Sequence, residues 1–294
     1  MSAVRRARQR RSSKVRRLIS MMERASRCNW QDSCRQGSLI ILPQKGDLLA
    51  TGDLHGNSRN FDRIVALADL ENHPDRHLLL QEVIHQVENL GRSRDMSFLV
   101  LEKVANLKTQ FPDRVHVMMG NHELSEVQGR TLFKQGRKLN QLFDRGIASH
   151  YGAEGAQVKK AYRKFFRSMP LALETPKQIF FCHSIPEMPY TERYDREFFL
   201  KDYRRQMVRK GSKLVEELVW GRDFSQETAG VFADRIGARL VVVGHEPCDE
   251  GYLVPNNRTL ILDSKDGAGC FLLLKLNRAY THRGLLRKIS RLQK

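Results

Sequence analysis

The chain has 294 residues, 40% of them hydrophobic and 29% charged, enough for one large core or two small ones. No apolar run approaches the ~20 residues that span a bilayer, and no hydrophobic segment follows the charged N-terminus or the Arg10-Arg11 pair, which argues against a membrane helix and an export signal. The net charge of +18 sits at the ends: residues 1–27 hold ten Lys/Arg against Glu23 alone, residues 275–294 hold seven and no acid, and only +2 belongs to the body between them.

In chain order, Val15, Leu18, Ile19 and Met22 fall at helical spacing inside the first basic segment. Residues 1–27 read as a basic tail, helical or flexible, that suits an acidic protein, nucleic acid or an anionic membrane, or is simply solvated. No aromatic residue precedes Trp30, which counts against base stacking. Cys28, Cys34, Cys182, Cys248 and Cys270 are odd in number and scattered, the pattern of reduced thiols in a cytoplasmic protein. The apolar runs Leu39–Leu42, Leu48–Thr51, Leu78–Leu80, Val115–Met119, Ile179–Cys182, Leu240–Val243, Thr259–Leu262 and Cys270–Leu274 predict strands. Helices are predicted from Phe98 to before Pro112 and from about Gln157 to Met169, with residues 124–156 as helical and loop excursions. Early strands alternate with helices and later ones follow closely, so a mixed α/β core of two sheets is expected over residues 28–275. Leu285, Ile289 and Leu292 among basic residues predict an amphipathic C-terminal tail over 276–294.

Four predicted strands end in polar residues. Leu48–Thr51 runs into Gly52-Asp53-Leu-His55-Gly56, and Val115–Met119 into Gly120-Asn121-His122-Glu123. Ile179–Cys182 ends at His183, and Leu240–Val243 at Gly244-His245-Glu246-Pro247. Asp53 and His55 alternate with Leu54 and so share a side, where a hard oxygen and an imidazole suit a divalent metal. A single such residue fits a capped turn or a satisfied core histidine equally well, but open α/β sheets place their sites at the carboxyl ends of strands, and here the pattern recurs four times.

With these motifs the sequence resembles the calcineurin-like metallophosphoesterases, in particular their phosphoprotein phosphatase (serine/threonine phosphatase) branch. Weaker matches are His150-Tyr151-Gly152, Phe165 to Leu173, Leu218-Val-Trp-Gly-Arg-Asp223 and Leu260-Ile-Leu-Asp-Ser264, so the resemblance covers roughly residues 38–274. It implies a four-layer α/β/β/α sandwich of two mixed sheets and a dinuclear site of Mn, Fe or Zn. Carried over by motif, Asp53 and His55 hold one ion, and Asn121, His183 and His245 the other. His122 matches the acid that protonates the leaving oxygen, and Arg222 the arginine that clamps the phosphate.

The sequence departs from the family at its Gly-Asp-x-x-Asp-Arg motif, whose first Asp bridges the two ions. Gln81-Glu82-Val83-Ile84-His85-Gln86 stands there instead. We read Glu82 as the bridging carboxylate, the alternative being a solvated helix-start residue; His85 then occupies the place of the Asp that orients the catalytic His, and Gln86 that of the Arg. In the loop that follows, Arg92 or Arg94 is expected to reach the phosphate and Asp95 to orient His122. The expected activity is metal-dependent hydrolysis of phosphomonoesters, with phosphoproteins as the family-level substrate. The alternatives are a dinucleoside polyphosphate (nucleotide) hydrolase and a weakly active scaffold whose basic tails bind acidic partners.

Overall fold

The computed structural model describes residues 3–87, 91, 93–209 and 211–293, with side chains of the first helix from residue 12 onward. Its strands are β1 (Arg35–Gln36), β2 (Leu39–Ile41), β3 (Asp47–Asp53), β4 (Arg76–Gln81), β5 (Val115–Met118), β6 (Phe133–Lys134), β7 (Arg137–Lys138), β8 (Ala172–Glu174), β9 (Ile179–Cys182), β10 (Leu240–Val243), β11 (Tyr252–Leu253), β12 (Thr259–Leu262), β13 (Cys270–Lys275) and β14 (Ile289–Arg291). The longer helices of the first half are α1 (Ala3–Trp30), α2 (Ser58–Ala68), α3 (Phe98–Gln110), α4 (Asn121–Gln128), α5 (Leu139–Tyr151) and α6 (Gly155–Phe166). Each expected apolar run is a strand, and the two expected helices are α3 and α6.

One sheet has the order β1-β2-β8-β9-β10-β12-β11 and the other β14-β13-β3-β4-β5. Both have a parallel centre, β3-β4-β5 in one and β9-β10-β12 in the other. Between the sheets lie Leu48, Ala50, Leu79, Met118, Leu272 and Leu274 against Ile40, Leu173, Phe181, Leu240, Val242 and Leu260. The alternate residues Leu49, Leu78, Leu80, Val115 and Val117 join Phe61, Ile64, Phe98 and Val104 of the helices in the larger core. Strands covered on both faces bury every side chain, which is why they read as continuous apolar runs without polar alternation. The result is the four-layer α/β/β/α arrangement.

The sheets meet at one edge, where β3 crosses the end of β12. Asp53 and Asp263 form a parallel bridge there, and Gly52 N donates to Ser264 Oγ at 2.9 Å. A Cβ on Gly52 would stand 2.0 Å from Leu262 O, so only glycine permits the crossing. A register shift between Ala50 and Asp53 completes the turn of β3 towards that edge.

Both basic ends pack onto this body. Val15, Met22 and Ala25 of α1 are buried in the larger core, and Asn29 Nδ2 donates to Ser168 Oγ at 2.9 Å. Just beyond the helix, buried Asp32 accepts from Lys108 Nζ at 2.7 Å and lies 3.0 Å from His116 Nδ1, while His116 Nε2 is 3.0 Å from His77 Nδ1. This enclosed chain of polar groups ties α1 to α3, β5 and β4. The apolar residues of the C-terminal segment are divided between two elements instead of lining one helix: Leu285 is buried in the short helix His282–Leu286, and Ile289 lies in β14, antiparallel to β13. That pairing covers an otherwise open sheet edge. The stretch 124–156 contains the β6–β7 hairpin between α4 and α5. All five cysteines are free, and among the described residues no helix is long and apolar enough to cross a membrane.

Candidate metal centre

The carboxyl ends of both parallel cores converge on one buried cluster. Asp53 ends β3, Glu82 follows β4, Asn121 and His122 open α4 after β5, and His183 and His245 follow β9 and β10. His55, Glu82 and His245 have φ of 44°, 43° and 71°, left-handed backbone that is costly for side chains of this size and typical of functional sites. The loop carrying Glu82 is held on both sides. Leu54 N and His55 N donate to Glu82 O at 3.0 and 2.9 Å, while Val83 N and Ile84 N donate to Glu123 Oε1 at 2.9 and 3.1 Å.

Glu82 is at the centre. Its Oε2 lies 2.7 Å from His183 Nε2, and its Oε1 lies 3.3 Å from His122 Nε2 and 3.8 Å from His55 Nε2. Two groups of potential metal ligands, His55/Glu82/His122 and Asp53/Glu82/His183, have this carboxylate in common. Asn121 Oδ1 is 3.0 Å from both His183 Nε2 and His245 Nδ1. This oxygen faces acceptors only; turning the amide over would let its NH2 donate to His183 Nε2, His245 Nδ1 and both Glu82 oxygens.

The histidines are oriented from behind. His183 Nδ1 is 3.2 Å from Gln81 Oε1, and His55 Nδ1 is 3.2 Å from Ile84 O, so each ring donates backwards and turns the lone pair of Nε2 into the cluster. Gln81, which the sequence did not single out, is itself fixed by donating to Thr51 O at 2.9 Å.

Burial dominates the electrostatics. It raises the Asp53 pKa well above the usual carboxylate range, with the charge of Glu82 adding to it, and raises that of Glu82, with Glu123 adding to it. It also lowers His55 to about 3, and lowers His183, His122 and His245, the last two far below the ordinary imidazole value. Neutral imidazoles with inward lone pairs beside desolvated carboxylates are acceptors without a donor. Asp53 Oδ1 and His245 Nε2 are buried with no hydrogen-bond partner among the described residues. Metal cations satisfy such a set, and the mixture of Asp, Glu, Asn and His donors fits them.

Beside the cluster opens a pocket of about 400 Å³. Its walls include Lys134, Arg222 and Lys265 as cations, and Leu132, Phe133, Trp220 and Pro247 as apolar surface. Arg222 pairs with Glu246 at its side, and Lys265 with Asp263.

A family model described as calcineurin-like phosphoesterase matches residues 47–249, a span that takes in this whole cluster. The chain belongs to the calcineurin-like phosphoesterases. It is 26% identical over 266 residues to a probable serine/threonine-protein phosphatase of Encephalitozoon cuniculi, covering 81% of this chain and 52% of that protein, so it spans about half the length of that curated relative. Among solved structures, a protein serine/threonine phosphatase from Saccharomyces cerevisiae aligns with a TM-score of 0.69 at 15% identity, over 95% of this chain and 90% of the other. A cold-active protein-tyrosine phosphatase from Shewanella aligns with a TM-score of 0.58 at 16% identity, over 86% of this chain and 83% of the other. Both show the phosphoesterase fold in proteins distant in sequence.

Within this phosphoesterase, Asp53, His55, Glu82, Asn121, His122, His183 and His245 come together, and Arg222 lines the adjoining pocket. The loop after Glu82 differs from expectation. Arg92 lies outside the described residues. Arg94 is exposed and donates to Ser149 Oγ on α5, away from the pocket. Asp95 does not orient His122: its carboxylate accepts from Gln86 N at 3.2 Å and Ser97 N at 2.8 Å, shaping its own loop. His122 Nδ1 instead meets His85 Nδ1 at 3.1 Å, and His85 Nε2 lies 3.4 Å from buried Glu126, near enough to pair but not aligned for a hydrogen bond. Glu126 sits one turn beyond His122 on α4, a spacing visible in the sequence that gains meaning only once His85 is placed against it. Lys134 was also missed. Its signal is a pair of short segments around Gln135-Gly136, whose φ values of 47° and 72° fit a two-residue hairpin turn.

Proposed function

We propose that this phosphoesterase hydrolyses phosphomonoesters with two metal ions, and that phosphoserine or phosphothreonine in proteins is its substrate class. The convergence of acceptor groups around Glu82, with His122 and Arg222 facing the same pocket, carries the reading. Asp53, His55 and Glu82 are the residues to hold one ion, and Glu82, Asn121, His183 and His245 the other; Mn, Fe and Zn all suit these donors. Bound there, such ions activate water as a nucleophile and neutralise phosphoryl oxygens.

The chain's own residues supply the rest. Arg222 offers a planar fork to the phosphoryl oxygens, for which its present partner Glu246 is the competitor. His122 is placed to deliver a proton to the leaving oxygen from Nε2, where it must first take one up because burial keeps the ring neutral. With Nδ1–H donated to His85 Nδ1, and the His85 Nε2–H turned towards Glu126, the Nε2 of His122 faces the pocket side of Glu82. These tautomers are assigned from the partners each nitrogen meets. Glu126–His85 thereby stands in for the aspartate that the sequence lacks.

The test is metal analysis of the purified protein, followed by assays with p-nitrophenyl phosphate, a phosphoserine peptide, a phosphotyrosine peptide and diadenosine tetraphosphate after loading with Mn²⁺. About two ions per chain and faster turnover of the phosphoserine peptide are expected, both lost in Asn121→Ala. A metal-loaded protein that hydrolyses none of these overturns the reading, and preference for diadenosine tetraphosphate replaces its substrate class.

A further inference from the structure

We propose that Lys134, presented by the β6–β7 hairpin, is the second cationic contact for the substrate phosphate, together with Arg222 and in place of the arginine that Gln86 has displaced. This rests on the phosphomonoester reading and adds to it a residue from a different part of the chain.

Gln86 cannot serve, because it is uncharged and its Oε1 faces Met96 N at 3.5 Å. Arg94 is engaged with Ser149. Of the cations that line the pocket, Arg222 pairs with Glu246 and Lys265 with Asp263, whereas the Lys134 ammonium has no ion pair or hydrogen bond among the described residues. Its ammonium is partly buried, and its charge acts on Glu82, Asp263 and Asp53 and on the rings of His55 and His122. It lines the same pocket as Asp53, His55, Glu82 and His122. Once those carboxylates are neutralised by metal ions, a partly desolvated ammonium at the mouth requires an anion, and the phosphate of the substrate supplies one.

The hairpin is built to hold that position. The Gln135-Gly136 turn sets its register, Phe133 pairs with Lys138 across it, and the Lys138 ammonium lies 5.8 Å from the centre of the Phe133 ring. Leu139 N donates to Leu132 O at 2.9 Å and Leu132 N to Asn140 Oδ1 at 2.7 Å, fastening the base of the hairpin to the start of α5. Phe133 and Lys134 of the two-residue strand both line the pocket, Phe133 exposed and Lys134 half-buried.

The experiment measures binding of inorganic phosphate by calorimetry to the full-length, Mn²⁺-loaded protein, alongside p-nitrophenyl phosphate kinetics. Lys134→Ala and Lys134→Gln are expected to weaken phosphate binding roughly tenfold to hundredfold, the loss of one charge-assisted hydrogen bond, and to raise KM in parallel at unchanged metal content. Lys134→Arg should recover most of the affinity, and Lys138→Ala, on the same hairpin, should bind as wild type. Wild-type affinity in Lys134→Ala overturns the inference, as does a wild-type protein that binds no phosphate. A wild-type protein that turns over no ester, yet binds phosphate in a Lys134-dependent way, supports the inference while removing the proposed activity.

Discussion

Replacing Gly120 by alanine tests the position of Glu82 without touching a ligand. Gly120 caps α4 with φ −105° and ψ 172°, a backbone conformation open to any L-residue, so the substitution costs little in conformation. Space is the obstacle. An added Cβ would stand 2.1 Å from Glu82 Oε2 and 3.0 Å from Glu123 Oε2, whereas ordinary contact begins at 3.4 Å. The Glu82 carboxylate must then move by about 1.3 Å, which disturbs the contact its Oε2 now makes with His183 Nε2 at 2.7 Å. A displacement of ~1 Å in a catalytic constellation costs about a hundredfold in rate, equivalent to roughly 2.7 kcal/mol. Gly120→Ala is therefore expected to lose about two decades of kcat/KM on p-nitrophenyl phosphate and to bind less than two ions, while circular dichroism remains that of the wild type. Gly230, inside the helix Gln226–Arg235, has nothing within 4 Å of its added Cβ and is the control. Gly230→Ala should leave turnover unchanged and stabilise the protein by about 0.5–1 kcal/mol. If Gly120→Ala keeps wild-type metal content and turnover, the placement of Glu82 at the centre of the site is refuted.

The relay behind His122 predicts that His85→Ala lowers kcat about tenfold to hundredfold at unchanged metal content, whereas His85→Asp, restoring the carboxylate of the resembling family, retains more activity; equal kcat in wild type and His85→Ala would remove the relay. Asp32→Asn should cost about 3–5 kcal/mol in urea denaturation, because it leaves the Lys108 ammonium buried without a counter-charge, and pairing it with Lys108→Met should recover most of that loss; a cost below about 1 kcal/mol contradicts the role of this pair. The same cluster makes the fold acid-sensitive. Burial lowers the His116 pKa, so stability is expected to fall as pH drops through about 6.5, where the unfolded chain takes up a proton that the folded one refuses. Burial alone would raise the Asp32 pKa, but His116 and Lys108 outweigh it and hold it low, so a second loss follows as pH falls through about 3.9. Melting temperatures measured from pH 8 to pH 3 check both steps, and a flat profile contradicts them.

By itself the sequence determined the sheets and most of the residues that gather in the candidate metal cluster. Strands covered on both faces must be apolar throughout, so each announced itself as a run, and a ligand at a strand end is fixed by the strand before it; Asp53, Asn121, His183 and His245 were legible for that reason. Glu82 was legible too, since its place follows from the end of β4 although its type is unexpected. Groups that act across the chain were not. The 85–126 and 81–183 contacts join residues whose partners are set by the packing of different elements, and no local pattern encodes them. Arg94 and Asp95 were credited with reaching the site because they lie close in sequence, but their loop satisfies its own polar groups against Ser149 and Ser97. The basic ends misled in the same way. Charge along a segment reports its solvent face, whereas the burial of Val15, Met22 and Leu285 depends on α1 and the C-terminal elements finding the body of the fold. Tertiary structure alone decided that Lys134 lines the pocket beside the cluster, because a hairpin of four strand residues brings it there from a stretch that, read along the chain, is only a basic loop.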